Sequence, residues 1–256
     1  MEHISHHGRK TAYRVSDRNG TGPTTLLVHG SGGVHTVWRS QFRLGGVAPI
    51  AALDLSGHGE SDDVDSQPGY ETLSAYVSDV IAVAEATDAE ILVGHSMGGA
   101  IVLQAVLDRQ INPRGIVLSN TGAKLSVLDD LLAWLSEDFD RAIEFLHAPG
   151  RLFYDPDEEL IEHSSAAMRA TGRDVTERDF LTSHEFDARD RLDEIDTPAL
   201  AIVGEHDRLT PPEYHEYFAE ELPNCRMETI ADAAHMPMLE RPTAYNHVLE
   251  TFISSV

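Results

Sequence analysis

Short apolar runs recur along this chain, and between them the apolar residues change period. "TTLLVHG" (24–30), "APIAALDL" (48–55), "EILVGHS" (90–96), "GIVLSN" (115–120), "ALAIVGEHD" (199–207) and "RMETIADAAH" (226–235) are each short enough for one strand. "ETLSAYVSDVIAVAEA" (71–86), "GGAIVLQAVLDRQ" (98–110) and "PTAYNHVLETFISSV" (242–256) carry apolar residues at helical spacing instead, and "PPEYHEYFAEEL" (211–222) opens with prolines that suit a first helical turn. Strands that alternate with helices cannot be hairpin neighbours, so the pattern demands a parallel sheet covered on both faces. "ISHHGRKTAYRVSD" (4–17) predicts an antiparallel hairpin added at the outer edge.

The alternation fails once. From about Gly122 to Arg191 there is no strand candidate, only amphipathic helical pattern. "SVLDDLLAWLSEDFDRAIEFLHA" (126–148) places Val127, Leu128, Leu131, Leu132, Leu135, Phe139, Ile143 and Leu146 at helical intervals, and two further segments follow with acidic residues in their first turns. Inserted between two strands, 122–191 is expected to form a helical lid over the carboxyl edge of the sheet, with 1–121 and 192–256 making the α/β core. Leu131, Trp134, Leu135, Phe139, Phe145 and Met168 would then either line an acyl pocket or pack the lid onto the body. No internal repeat is visible.

The 43 acidic residues against 19 basic ones, two of them lysines (Lys10 and Lys124), leave a net charge of −24. Such a surface repels itself in dilute buffer and is relieved by salt; the composition resembles that of haloarchaeal proteins. It disfavours nucleic acid and anionic membranes as partners. No apolar run is long enough to span a bilayer, and "MEHISHHGRK" lacks a signal-peptide core, so the expected location is the cytoplasm. The single Cys225 excludes an internal disulfide and a cysteine-rich metal site. His3, His6 and His7 form a terminal cluster to which no metal role is given.

"GHSMGG" (94–99) carries the chemistry. Gly94, Ser96 and Gly98 fit G-x-S-x-G, in which a tight strand-to-helix turn lifts a serine hydroxyl above the sheet. The glycines let strand and helix backbones approach closely enough for that turn. A serine becomes a nucleophile only when a base takes its proton and an acid orients the base. With the partners expected in the order Ser, acid, His, His235 after the last strand is the base candidate. Asp207, just past "ALAIVG", is preferred as acid over Glu205 because it lies farther out in the loop. His29 and His95 stand at strand ends and are expected to pack and bond to backbone. Donors for a developing oxyanion are expected from the N–H of Met97 and from "HGSGG" (29–33), with Ser31 first and Gly32 second. Gly32, Leu131, Trp134 and Met236 are the candidate substrate-pocket residues.

"HGSGG", "DLSGHGES" (54–61), "GHSMGG", "GEHDRLTPP" (204–212) and "AAHMPMLERP" (233–242) together resemble the α/β-hydrolase superfamily, in the style of its lidded serine hydrolases: carboxylesterases, lactonases and carbon–carbon bond hydrolases. The resemblance implies an eight-stranded, mostly parallel sheet with helices on both faces, the lid between strands six and seven, and catalysis without metal or organic cofactor. It implies Ser96 as nucleophile, Asp207 as acid, His235 as base, and Ser31 and Met97 as oxyanion donors, with a structural role for "DLSGHGES". Dehalogenases and epoxide hydrolases of this fold use a carboxylate nucleophile, which Ser96 replaces. The expected protein is a serine hydrolase of carboxylic esters or lactones, as a monomer or small homo-oligomer. Two alternatives stay open: carbon–carbon hydrolysis or perhydrolysis by the same triad, and a non-enzymatic ligand sensor. The sequence assigns no Arg or Lys as a clamp for a substrate carboxylate; Arg39, Arg151 and Arg169 are candidates that nothing in it singles out.

Overall fold

The computed structural model of the chain describes residues 1–108 and 110–256. The helix expected over 98–110 includes Arg109, which lies outside the described residues. Eight strands form one sheet: β1 (Glu2–His6), β2 (Arg9–Ser16), β3 (Thr25–Val28), β4 (Ile50–Leu53), β5 (Ile91–His95), β6 (Gly115–Ser119), β7 (Ala199–Gly204) and β8 (Cys225–Ile230). Their spatial order is β1-β2-β4-β3-β5-β6-β7-β8. β1 and β2 make the antiparallel hairpin at one edge, β2 joins β4 antiparallel, and every other pairing is parallel.

The parallel strands are apolar on both sides because both sides are covered. Leu26, Val28, Leu92, Ile116 and Leu118 point into one core, which includes α1 (Tyr70–Thr87), α2 (Met97–Leu107) and α7 (Pro212–Glu221). Their alternating neighbours Leu27, Ile91, Val93 and Val117 point into the other, closed by α8 (Pro237–Glu240), α9 (Pro242–Ile253) and part of the 122–191 segment. Helix α2 is buried along nearly its whole length. A helix apolar all round has no solvent face to turn outward, so α2 holds the turn at its start rigidly.

Between β6 and β7 lie four α-helices, α3 (Asp129–Glu137), α4 (Phe139–Leu146), α5 (Glu158–Thr171) and α6 (Arg173–Glu185), and a short 3-10 helix (Arg189–Glu194). The continuous apolar stripe of 126–148 is split in two at Asp138. Its carboxylate accepts from the Arg141 N–H at 3.2 Å, capping α4 and ending α3. Asp157 caps α5 in the same way, accepting from Leu160 N–H at 2.7 Å. No described helix is long and apolar enough to cross a membrane.

Candidate active site

The carboxyl ends of the parallel strands deliver the candidate residues to one place. Ser96 follows β5 with φ 53° and ψ −121°, a conformation that costs a non-glycine residue on the order of 1–3 kcal/mol. Three bonds hold it there: Ser96 N–H donates to Ser119 C=O (3.0 Å), and Ser96 C=O accepts from Gly99 N–H (2.9 Å) and Thr121 Oγ1 (2.7 Å). The glycines are needed for close approach. A Cβ on Gly94 would strike the Gly98 carbonyl, and one on Gly98 would strike the carbonyls of Val28 and His29.

Asp207, on the loop after β7, accepts five hydrogen bonds. They come from the N–H groups of Leu209 and Thr210, Asn120 Nδ2, Thr210 Oγ1 and His235 Nδ1, the last at 2.9 Å. Burial alone would raise this carboxyl; the facing His235 and the donors from Asn120 and Thr210 outweigh it and hold the group well below the usual carboxylate range. His235 stands five residues beyond the end of β8, on a loop and not on the strand itself. Its backbone is fixed by His95 Nε2, which donates to the His235 carbonyl at 2.8 Å. Glu240 braces the same loop by accepting from Ala234 N–H at 2.8 Å.

A cavity of about 470 Å³ brings Ser31, Ser96 and His235 together. Gly30 lies against Ser96, and the Ser31 hydroxyl is 3.7 Å from Met97 Sδ. Gly32 lines the cavity, but its N–H donates to Asp179 Oδ2 at 2.9 Å, which removes it from the oxyanion-donor candidates. The Gly33 N–H is likewise engaged, by Gly30 C=O at 3.1 Å. Ser31 N–H carries neither bond. Of the pocket candidates, Leu131 and Met236 join Gly32 in the lining. Trp134 does not: its ring packs edge-on to Phe145 at 5.1 Å under the Arg141 guanidinium, so it serves the packing of α3 on α4. Met168 and Phe145 do line the cavity.

Sequence reasoning missed several residues here. Asn120 and Thr210 bind the Asp207 carboxylate, and Asn120 stands directly after a strand, where its position could have flagged it. Asp179 on α6 was invisible. It is fully buried and accepts from Gly32 N–H, from Tyr76 Oη at 2.7 Å and from His58 Nε2 at 2.9 Å. His58, from "DLSGHGES", also donates from Nδ1 to the Ser56 carbonyl at 3.1 Å. Both ring nitrogens face acceptors, an arrangement that favours the imidazolium form. Burial pulls it down, and the Asp179 carboxylate more than compensates, leaving it raised. The strand-end histidines are neutral instead: burial takes His29 down to about 4 and His95 to about 3.

Residues 25–248 match the Alpha/beta hydrolase family, so the match spans most of the chain, and the chain belongs to that family. It is 28% identical over 246 residues to a pimeloyl-[acyl-carrier protein] methyl ester esterase of Neisseria meningitidis, covering 90% of this chain and 93% of that one. It is 22% identical over 251 residues to 3-oxoadipate enol-lactonase 1 of Acinetobacter baylyi, covering 91% and 90%. Among solved structures, a thermophilic esterase superimposes with a TM-score of 0.86 at 29% identity, covering 99% of this chain and 96% of that one.

Proposed function

We propose that the protein is a serine hydrolase of carboxylic esters or lactones, working through an acyl-enzyme on Ser96. The observation that carries this reading is the strained Ser96 turn on the same cavity as an imidazole whose Nδ1 is committed to a buried carboxylate. Donation from Nδ1 leaves Nε2 of His235 with its lone pair, the form that can take the Ser96 proton. Asp207 stays ionised and stabilises the imidazolium that results. The carbonyl oxygen then becomes an oxyanion, for which the N–H groups of Met97 and Ser31 are the proposed donors; losing one such donor typically costs about 3 kcal/mol of transition-state stabilisation. His235 returns its proton to the leaving alkoxide, then takes one from the water that clears the acyl group. The esterases and the lactonase among the relatives favour this class over carbon–carbon hydrolysis.

In this reading 1–121 and 192–256 are the core and 122–191 is the lid. Helix α6 is tied to the core through Asp179, through Arg178 to Val64 C=O (2.8 Å) and through Thr182 to Gly69 N–H (3.0 Å). The rest of the segment is joined to the core by Thr171 Oγ1, which donates to Gly32 C=O at 3.2 Å, and by Met236 N–H, which donates to Leu152 C=O at 3.1 Å.

The test is hydrolysis of p-nitrophenyl esters of graded acyl length, wild type beside Ser96→Ala. Turnover should fall by about four to six orders of magnitude in the variant with its fold intact. Near-native turnover by Ser96→Ala would sink the nucleophile assignment.

A further inference from the structure

Acidic residues outnumber basic ones by 43 to 19 in this chain, and the cavity reverses that balance. Its lining includes Arg39, Arg151 and Arg208 and not one Asp or Glu. None of the three arginines has a carboxylate partner among the described residues, whereas Arg169, a third sequence-level candidate, is spent on Asp140 at 3.1 Å. The Arg151 guanidinium lies 4.3 Å from the centroid of Phe145, itself part of the wall, and a stacked guanidinium keeps its N–H edge free. Arg208 extends from the residue after Asp207 to lie beside Gly150, the neighbour of Arg151. The rest of the wall is mainly apolar: Val127, Leu131, Leu146, Leu152, Leu160 and Met168.

We propose that this cavity selects acyl substrates carrying a terminal carboxylate, with Arg151 and Arg208 as its clamp and Arg39 as a further cationic contact. The proposal rests on the serine-hydrolase reading for the position of the ester, which sits at Ser96 with an apolar chain between it and the anion. An anionic substrate approaching a molecule of net charge −24 is repelled everywhere else on average, so a carboxylate-free cavity bearing unpaired arginines is what binding such a ligand requires. Arginine suits the task because its fork meets both carboxylate oxygens. Because these groups lie away from the reacting carbonyl, they act mainly through KM.

Two readouts separate this proposal from the hydrolase reading. The first is calorimetric binding of adipamate, a carboxylate-tipped amide, against hexanamide, its uncharged counterpart, in about 0.5 M KCl to limit long-range repulsion. The second is kcat/KM for the p-nitrophenyl monoester of adipic acid against p-nitrophenyl hexanoate. Wild type should prefer the charged member by about tenfold or more in both. Arg151→Gln should collapse that ratio chiefly through KM, and Arg39→Gln, on a different segment, should reduce it less. Equal or weaker binding of adipamate overturns the proposal, whatever the esterase result. Tighter adipamate binding that Arg151→Gln and Arg39→Gln both leave untouched overturns the assignment to these arginines. Preferential adipamate binding without hydrolysis of any ester leaves the anion site standing and removes the hydrolase reading instead.

Discussion

Among the described residues, two histidine–carboxylate pairs are buried on both sides, and both close at 2.9 Å. His235–Asp207 opens on the cavity. His58–Asp179 has no part in the cavity lining and bridges the loop after β4 to α6. The difference lies in the second ring nitrogen. His58 spends its Nδ1 on Ser56 C=O, so its proton has nowhere to go and the pair is a strut. His235 spends its Nδ1 on Asp207, and in the proposed mechanism its Nε2 takes the Ser96 proton. An identical contact is thus assigned to chemistry in the proposed mechanism and to architecture at His58, and distance alone does not separate them. What separates them is the neighbour of the remaining nitrogen.

The largest effect expected from breaking this comparison is on activity. Asp207→Asn should lower kcat about 10³–10⁴-fold, because an amide can favour the wrong imidazole tautomer, and its melting temperature should fall less than that of Asp179→Ala. Activity within tenfold of wild type would mean that the two pairs had been assigned the wrong way round.

Stability comes next. Asp179→Ala leaves the His58 cation, Tyr76 Oη and Gly32 N–H without their acceptor, a loss of about 3–5 kcal/mol. That corresponds to a melting temperature lower by roughly 10 °C for a domain of this size. The freed Gly32 backbone should also slacken the Ser31 loop and reduce kcat on every ester tested. A variant that melts with the wild type would show that the strut carries no load.

The pH dependence sharpens the comparison further. His58 is raised in the folded state, so its pairing contributes fully below the ordinary histidine value of 6.5 and fades as pH rises through the raised one. His29 and His215 behave oppositely. Both are buried and neutral in the fold down to about 4, whereas the unfolded chain takes their protons near 6.5. The unfolded state therefore binds more protons across that window, and stability must fall as pH drops from about 6.5 to 4. Thermal melts in molar KCl should crest near neutrality and decline on both sides. A profile flat from pH 4 to 7 would refute the assignment of neutral buried histidines.

The smallest effect concerns the surface. Screening of the −24 charge should raise the melting temperature by several degrees between dilute buffer and about 2 M KCl. A melting temperature that does not move would remove the halophilic reading.

Much of the candidate site was legible because its signals are local. The G-x-S-x-G turn lies within five residues, and Asp207 and His235 each follow a strand that its own apolar run announces. The Gly32 N–H could not be judged that way, since its acceptor lies on a helix 147 residues further along. Trp134 misled for a related reason: helical spacing shows which residues share a face, but not whether that face meets a cavity or a neighbouring helix. The break at Asp138 turned on one side chain capping the next helix, a choice that apolar periodicity does not register.

The order of strands and helices, the parallel core and the serine turn follow from the sequence itself, because backbone sterics and apolar periodicity act between near neighbours; the chain order of the serine's proposed partners is what the family resemblance implies. Tertiary structure alone decided, among the described residues, which histidine turns Nδ1 to a carboxylate beside the cavity, which loop N–H groups are spent on an acceptor and which arginines have no carboxylate partner. Each of these depends on how polar groups far apart in the chain meet once water is excluded, and a hydrogen bond or ion pair made there is unavailable for anything else.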